Sequence, residues 1–224
     1  MNGRDRNETA LAHTEPVLDF VRRARARLSQ EVPQIATDPA VMPPSGEHTV
    51  TPGIVRIVEK IPSRPAAVLI PVVARDEPTV LLTQRSASLS THAGQISFPG
   101  GKLDPTDPDP LATALREAHE EVGLDPGFAD PLGFLEPYLS GTGFRIVPVV
   151  ALVSPAFEVK LNPAEVDEAF EVPLDFLMTP ENHARHSREW KGIRRSFYAM
   201  PYGERYIWGV TAGILRVLYE RLYR

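Results

Sequence analysis

The chain has 224 residues, 42% of them hydrophobic, which suffices for one well-packed domain with extensions or for two small ones. Its 24 Lys and Arg stand against 29 Asp and Glu, and the formal charge of −5 excludes the global basic field that holds nucleic acid non-specifically. The absence of cysteine excludes disulfides, thiolate metal sites and thiol nucleophiles, so any metal must be held by oxygen or imidazole.

The opening MNGRDRNETALAHTEP lacks the apolar centre of a signal peptide, and the longest apolar run, AAVLIPVVA at 66–74, is far too short to cross a bilayer. A soluble, cytoplasmic protein with no membrane partner is expected. Residues 14–29 predict an amphipathic helix with Thr14 as N-cap, Pro16 in the first turn and Val17, Phe20, Val21, Ala24 and Leu28 on one face. Its arginines line the other face, which reads as solvated. Residues 30–64 are rich in proline and polar groups without a sustained period, and read as an irregular linker. The chain thus divides into an extension over 1–64 and a folded unit over 65–224.

From residue 66 the texture changes to short β-like runs at 66–75, 79–85, 95–99, 133–139 and 144–153, several of them continuously apolar as strands covered on both faces are. Helical patterns follow over 110–122 and 205–223. Together they predict an α/β fold, a layered sandwich around a mixed sheet. The last helix, with Ile207, Trp208, Val210, Ile214, Leu215, Leu218 and Leu222, is expected to pack on the sheet, and a homodimer contact is the alternative.

The helix over 110–122 is the most informative stretch. Asp107 or Asp109 can cap it ahead of Pro108 or Pro110, Gly123 ends it, and Leu111, Leu115, Ala118 and Val122 form the stripe expected to be buried. At roughly 100° per residue, Glu117, Glu120 and Glu121 fall within an arc of about 100°. Like charges at these spacings repel, and negative charge is disfavoured near a helix C-terminus. A bound divalent cation would turn that repulsion into coordination. Just upstream, Gly100 and Gly101 allow close backbone approach to a ligand.

The run from Gly101 to Leu124, G(x5)D(x8)REAHEEVGL, resembles the Nudix box, whose usual form is G(x5)E(x7)REUxEExGU with U aliphatic. Arg116, Glu117, Ala118, Glu120, Glu121, Gly123 and Leu124 match. The first acidic position is Asp107 instead of Glu, and one extra residue separates it from Arg116. Upstream, LLTQRSASLSTHAGQISFPGG at 81–101 is similar to the signature LLTxR(S/A)x3Rx3Gx3FPGG of the coenzyme A diphosphatase branch, with Ser90 in place of the second arginine.

The resemblance implies a Nudix-type α/β/α sandwich and a diphosphatase dependent on Mg²⁺ or Mn²⁺, with Glu117 and Glu121 as primary metal ligands, Glu120 completing the site and the Gly101 carbonyl as an additional ligand. It implies a small-molecule substrate, coenzyme A or an acyl-coenzyme A, split into (acyl-)4′-phosphopantetheine and adenosine 3′,5′-bisphosphate. ADP-ribose, NADH or another nucleoside diphosphate derivative is the alternative substrate, and a non-catalytic nucleotide sensor or a purely structural cation site are the rival readings. Arg116, counted with the catalytic residues, orients a glutamate by a charge-assisted hydrogen bond. Arg85, at the end of a predicted strand, is the first candidate for a substrate phosphate contact, with Gly100 and Arg145 beside it. The general base is left open: one of the box glutamates, or one of Glu165, Glu168 and Glu171 downstream. His92 and His119 lack a partner at ligand spacing and read as polar surface residues. The aromatic run SFYAMPYGERYIWG reads as a packed edge before the last helix, with adenine stacking as the alternative.

Overall fold

A computed structural model describes residues 13–33, 41–190 and 192–224. In chain order the elements are α1 (Glu15–Arg27), β1 (Ser45–Gly46), α2 (Glu47–Val50), α3 (Val55–Val58), β2 (Arg64–Val73), β3 (Thr79–Arg85), β4 (Ile96–Ser97), β5 (Gly100–Lys102), α4 (Pro110–Val122), β6 (Ala129–Phe134), β7 (Tyr138–Leu139), β8 (Phe144–Val153), β9 (Val166–Pro173), α5 (Leu174–Met178), β10 (Ala184–Trp190), β11 (Ile193–Tyr202), β12 (Arg205–Trp208) and α6 (Val210–Leu222).

Among the described residues, nine strands form one mixed sheet along the path β1-β7-β8-β2-β3-β4, with β5 also on β2, β6 on β8 and β9 on β3. Its spine is the parallel pair β2 and β8, in register from Arg64 opposite Phe144 to Val73 opposite Val153. Strand β2 alternates between two apolar layers. Ala66, Ile70 and Val72 face α1, α5 and α6, while Ala67, Leu69 and Val73 face Ala114, Ala118 and Val122 of α4. Both faces are covered, which is why these strands read as continuous apolar runs rather than as alternation. The result is the expected α/β sandwich around a mixed sheet.

Some elements differ from the sequence reading. The stretch before β2 was expected to be irregular, yet its described part carries β1, α2 and α3, all too short to set up a period. Residues 34–40 of that stretch lie outside the described residues. The final helix starts at Val210, because Gly209 at φ 67° breaks the chain after Trp208. Ile207 and Trp208 therefore belong to β12 of a second, three-stranded antiparallel sheet, β10-β11-β12, that the aromatic run concealed. Ile214, Leu215, Leu218 and Leu222 are fully buried against the sheet, as expected. On α1, Val17, Phe20 and Ala24 are buried, but its basic face is not simply solvated: Arg23 and Arg27 donate to the Leu222 carbonyl at the end of α6. Cations there complement the helix dipole. Among the described residues no helix is long and apolar enough to cross a membrane.

Candidate active site

Helix α4 is fixed at both ends by its sequence. Asp109 accepts a hydrogen bond from the Ala112 N–H at 2.8 Å, and Pro110 occupies the first turn, where no amide donor is needed. Gly123 closes the helix in the left-handed region at φ 70°. The buried stripe runs through Ala114, Ala118 and Val122, with Leu111 and Leu115 only partly covered at its side. Small alanines bring α4 close to the sheet, and the buried face is rotated from the expected stripe far enough to carry Glu121 inward. Its side chain is only 3% exposed.

Glu121 meets Arg85 at the end of β3, with 3.9 Å between Oε1 and Nη1, and the Gly100 backbone N–H of β5. Glu117 lies one helical turn earlier against Gly101, where an added Cβ would overlap its carboxylate. The third acid arrives from the loop before β9. In that loop the Lys160 and Asn162 N–H groups donate to the Val122 and Glu121 carbonyls at 2.8 and 3.0 Å, pairing acceptors that a helix end leaves free. Asn162 then donates from Nδ2 to Glu165 Oε1 at 3.3 Å, and Ser86 N–H holds the Glu165 carbonyl at 2.8 Å. Glu117, Glu121 and Glu165 each offer a carboxylate oxygen, all within 4.8 Å of one another.

Such a group is costly without a counter-charge. Burial pushes the Glu121 carboxyl up to about 8, Glu117 and Glu165 add to the rise, and Arg85 opposes it. Burial raises Glu117 as well, against its hydrogen bond to Arg116. Among the described residues, Glu121 Oε2 is buried with no hydrogen-bond partner. An orphaned buried acceptor beside two further carboxylates is a donor set of hard oxygens, and it fits a divalent cation such as Mg²⁺ or Mn²⁺.

The remaining predicted residues fall as follows. Glu120 is 48% exposed and bonds to Arg116 Nη1 at 3.0 Å, so the group of three takes Glu165 in its place. Arg116 also grips Asp107 through two nitrogens, Nε at 3.1 Å and Nη2 at 2.9 Å, and reaches Glu117 Oε1 at 3.0 Å. Arg145 is buried at the start of β8 and donates to the Val41 carbonyl at 2.6 Å, so it is engaged with the segment before β1. His92 bonds through Nδ1 to Gln95 Oε1 at 2.8 Å, and His119 is exposed. Glu168 pairs with Arg205, and Glu171 with Arg75 and Thr79, so of the three downstream acids Glu165 alone joins the group. Nothing in its local pattern singles Glu165 out; only the docking of its loop on the end of α4 does. Asn162 gave no sequence signal.

The two apolar layers and the three acids gathered at the end of α4 first define a class, the three-layer α/β sandwiches. Residues 63–191 match the NUDIX domain, and the chain belongs to the Nudix family. It is a Nudix hydrolase, a diphosphatase acting on small nucleoside diphosphate derivatives, in a family that generally uses divalent metal ions. It is 41% identical over 160 residues to the uncharacterized Nudix hydrolase NudL of Photorhabdus laumondii, covering 71% of this chain and 86% of that one. It is 43% identical over 155 residues to the corresponding protein of Pectobacterium atrosepticum, covering 69% and 81%. Among solved structures, the NUDIX domain of Shewanella oneidensis NrtR, complexed with ADP ribose, aligns at 18% identity with a TM-score of 0.45, over 70% of this chain and 86% of that one.

Proposed function

We propose that the protein hydrolyses the pyrophosphate linkage of coenzyme A or acyl-coenzyme A, releasing (acyl-)4′-phosphopantetheine and adenosine 3′,5′-bisphosphate. The observation that carries the metal-dependent part is the group Glu117, Glu121 and Glu165, with Glu121 buried and one of its oxygens unpartnered among the described residues. The coenzyme A assignment rests on the signature residues from Leu81 to Gly101, which form β3 to β5 and lead into that group.

In this reading Glu117, Glu121 and Glu165 hold Mg²⁺ or Mn²⁺, with the Gly101 carbonyl and Glu120 at the margin. When bound, the divalent ion supplies positive charge to the phosphate oxygens and lowers the pKa of water. The chain's own residues do the rest. Gly100 and Gly101 keep the β5 backbone close to the carboxylates, Arg116 fixes the rotamer of Glu117, and Arg85 offers a cation to the diphosphate beside Glu121. A carboxylate of the group accepts the proton of the attacking water. In this reading residues 65–224 are the hydrolase unit and residues 1–64 an extension, whose helix α1 packs on the unit's sheet. A cytoplasmic setting fits a chain without cysteine.

The test is a panel of coenzyme A, acyl-coenzyme A, ADP-ribose, NADH and dinucleoside polyphosphates incubated with Mg²⁺ or Mn²⁺. Coenzyme A or its thioesters should be cleaved with the highest kcat/KM. Untouched coenzyme A beside hydrolysed ADP-ribose would move the assignment to the alternative substrate class.

A further inference from the structure

Between Arg185 and Arg205 the second sheet and its turns carry five arginines and one lysine against Glu189 and Glu204, a local net charge of +4 in a chain of −5. The strand register sorts the side chains of this basic stretch. His186 lies opposite Phe197, Ala199 opposite Trp208 and Pro201 opposite Tyr206, so His186, Arg188, Phe197, Tyr206 and Trp208 share one face. Tyr198, Met200 and Ile207 point the other way, into the core. On the outer face the ring centres of Phe197 and Trp208 are 5.3 Å apart, and that of His186 is 6.1 Å from Phe197. The Arg188 guanidinium sits over both rings, 4.8 Å from the centre of Trp208 and 5.9 Å from that of Phe197. Arg188 is exposed, and among the described residues its guanidinium pairs with these rings and with no carboxylate.

The second sheet stands at the same end of the main sheet as the acids. Thr211 Oγ1, just beyond Trp208, donates to the Ile96 carbonyl of β4 at 2.9 Å, and the neighbouring Gln95 carbonyl accepts from the N–H of Arg85, whose side chain meets Glu121. Near the start of β11, Arg195 pairs with Glu47 of α2, and a Cβ added at Gly141, in the turn ahead of β8, would come within 3.1 Å of Arg195 Nη2. That turn leads into Phe144 opposite Arg64, at the end of β2 where Ala67 pairs with Gly101. Rings topped by an arginine suit one half of the proposed substrate and not the other. The pantetheine chain is neither flat nor charged, whereas adenosine 3′,5′-bisphosphate offers a base to stack and a phosphate monoester to pair with a guanidinium. We propose that this face holds the adenosine 3′,5′-bisphosphate half of the substrate, with the adenine stacked on the platform of Phe197 and Trp208 and the 3′-phosphate on Arg188. Arg188 then favours a substrate that carries the 3′-phosphate over a nucleoside diphosphate derivative that lacks it.

The proposal rests on the coenzyme A reading, and the experiment separates the two. Wild type, Arg188→Gln and Trp208→Leu are compared by kcat and KM, with Mn²⁺, on coenzyme A and on the same molecule without its 3′-phosphate, and by the Kd of adenosine 3′,5′-bisphosphate and of 5′-AMP in calorimetry. Wild type should favour coenzyme A by about tenfold or more in kcat/KM, the scale of one hydrogen bond to a charged group, and should bind the bisphosphate more tightly than 5′-AMP by a similar factor. Arg188→Gln should erase both preferences, raising the KM for coenzyme A by about tenfold or more. Trp208→Leu should weaken both substrates alike by about fivefold or more, as a lost base stack does. Arg188→Gln, at an exposed position, decides the matter by itself if Trp208→Leu does not fold. Cleavage of coenzyme A with a preference for the 3′-phosphate that survives Arg188→Gln would overturn the proposal. A single-stranded RNA oligomer held more tightly than the bisphosphate, and released by Arg188→Gln, would give the face to another ligand and overturn it too. A wild type that hydrolyses ADP-ribose and leaves both forms of coenzyme A untouched would instead overturn the substrate reading beneath it.

Discussion

Glu121 combines two properties that oppose each other, deep burial and membership of an acidic group. In the unfolded chain it ionises near 4.5, whereas folding without metal raises it to about 8. Between those values the folded state binds more protons than the unfolded one, so stability falls as pH rises through that window, and the loss is complete above it. The chelated protein should therefore melt at a lower temperature at pH 8 than at pH 5, and excess Mn²⁺ should raise the melting point at pH 8. A chelated melting temperature equal at both pH values would contradict this. In the proposed reading Glu121→Gln removes the charge and a hard ligand together, and should lower turnover by more than about a hundredfold, beyond the loss typical of an outer-shell partner. Gly101→Ala should do the same by displacing Glu117. Glu168→Gln, which alters the ion pair with Arg205 and leaves the three clustered acids in place, serves as the control and should keep near-wild-type kcat.

At the scale of elements, α4 was legible because local rules agree over 13 residues: an aspartate cap, a proline start, a glycine stop and a regular period. Asp109→Ala should cost about 1 kcal/mol of stability through the lost cap. Gly123→Ala should cost about 1–2 kcal/mol for the left-handed backbone, with a further clash against Lys160. Urea denaturation measures both, and values near zero would mean that the ends of α4 are held by packing alone. What the period could not give was the rotation of the helix, since Leu111 and Leu115 look more apolar than the Ala114 that is buried. Strand β9 was hidden for a similar reason. Val166, Phe170 and Val172 line its buried face, but three acids, Asp167, Glu168 and Glu171, interleave with them, and Arg75 and Arg205, the partners of Glu171 and Glu168, are distant in sequence. The place of Glu165 follows from that strand, so it too was beyond local pattern.

Across the whole molecule, the sandwich closes on both sides only because α1, which precedes the NUDIX match, covers one face of the sheet with α6. Phe20→Ala should therefore cost about 3–5 kcal/mol, as other large core truncations do, although it lies far along the chain from the acidic helix. A loss below about 1 kcal/mol in urea denaturation would show that α1 is dispensable to the fold. The second sheet is tied to the same body by the pair of buried Glu47 with half-buried Arg195 and by Thr51, which donates to the Ser196 carbonyl and accepts from its N–H. These long-range ties leave no local trace in sequence, whereas the apolar runs that build the central strands do. The most direct test of the central claim is the hydrolysis of coenzyme A by wild type and by Glu121→Gln, each with Mn²⁺ and with chelator, with products resolved by chromatography. The account predicts 4′-phosphopantetheine and adenosine 3′,5′-bisphosphate from the wild type with Mn²⁺ alone. Equal product with chelator, or from Glu121→Gln, would contradict it.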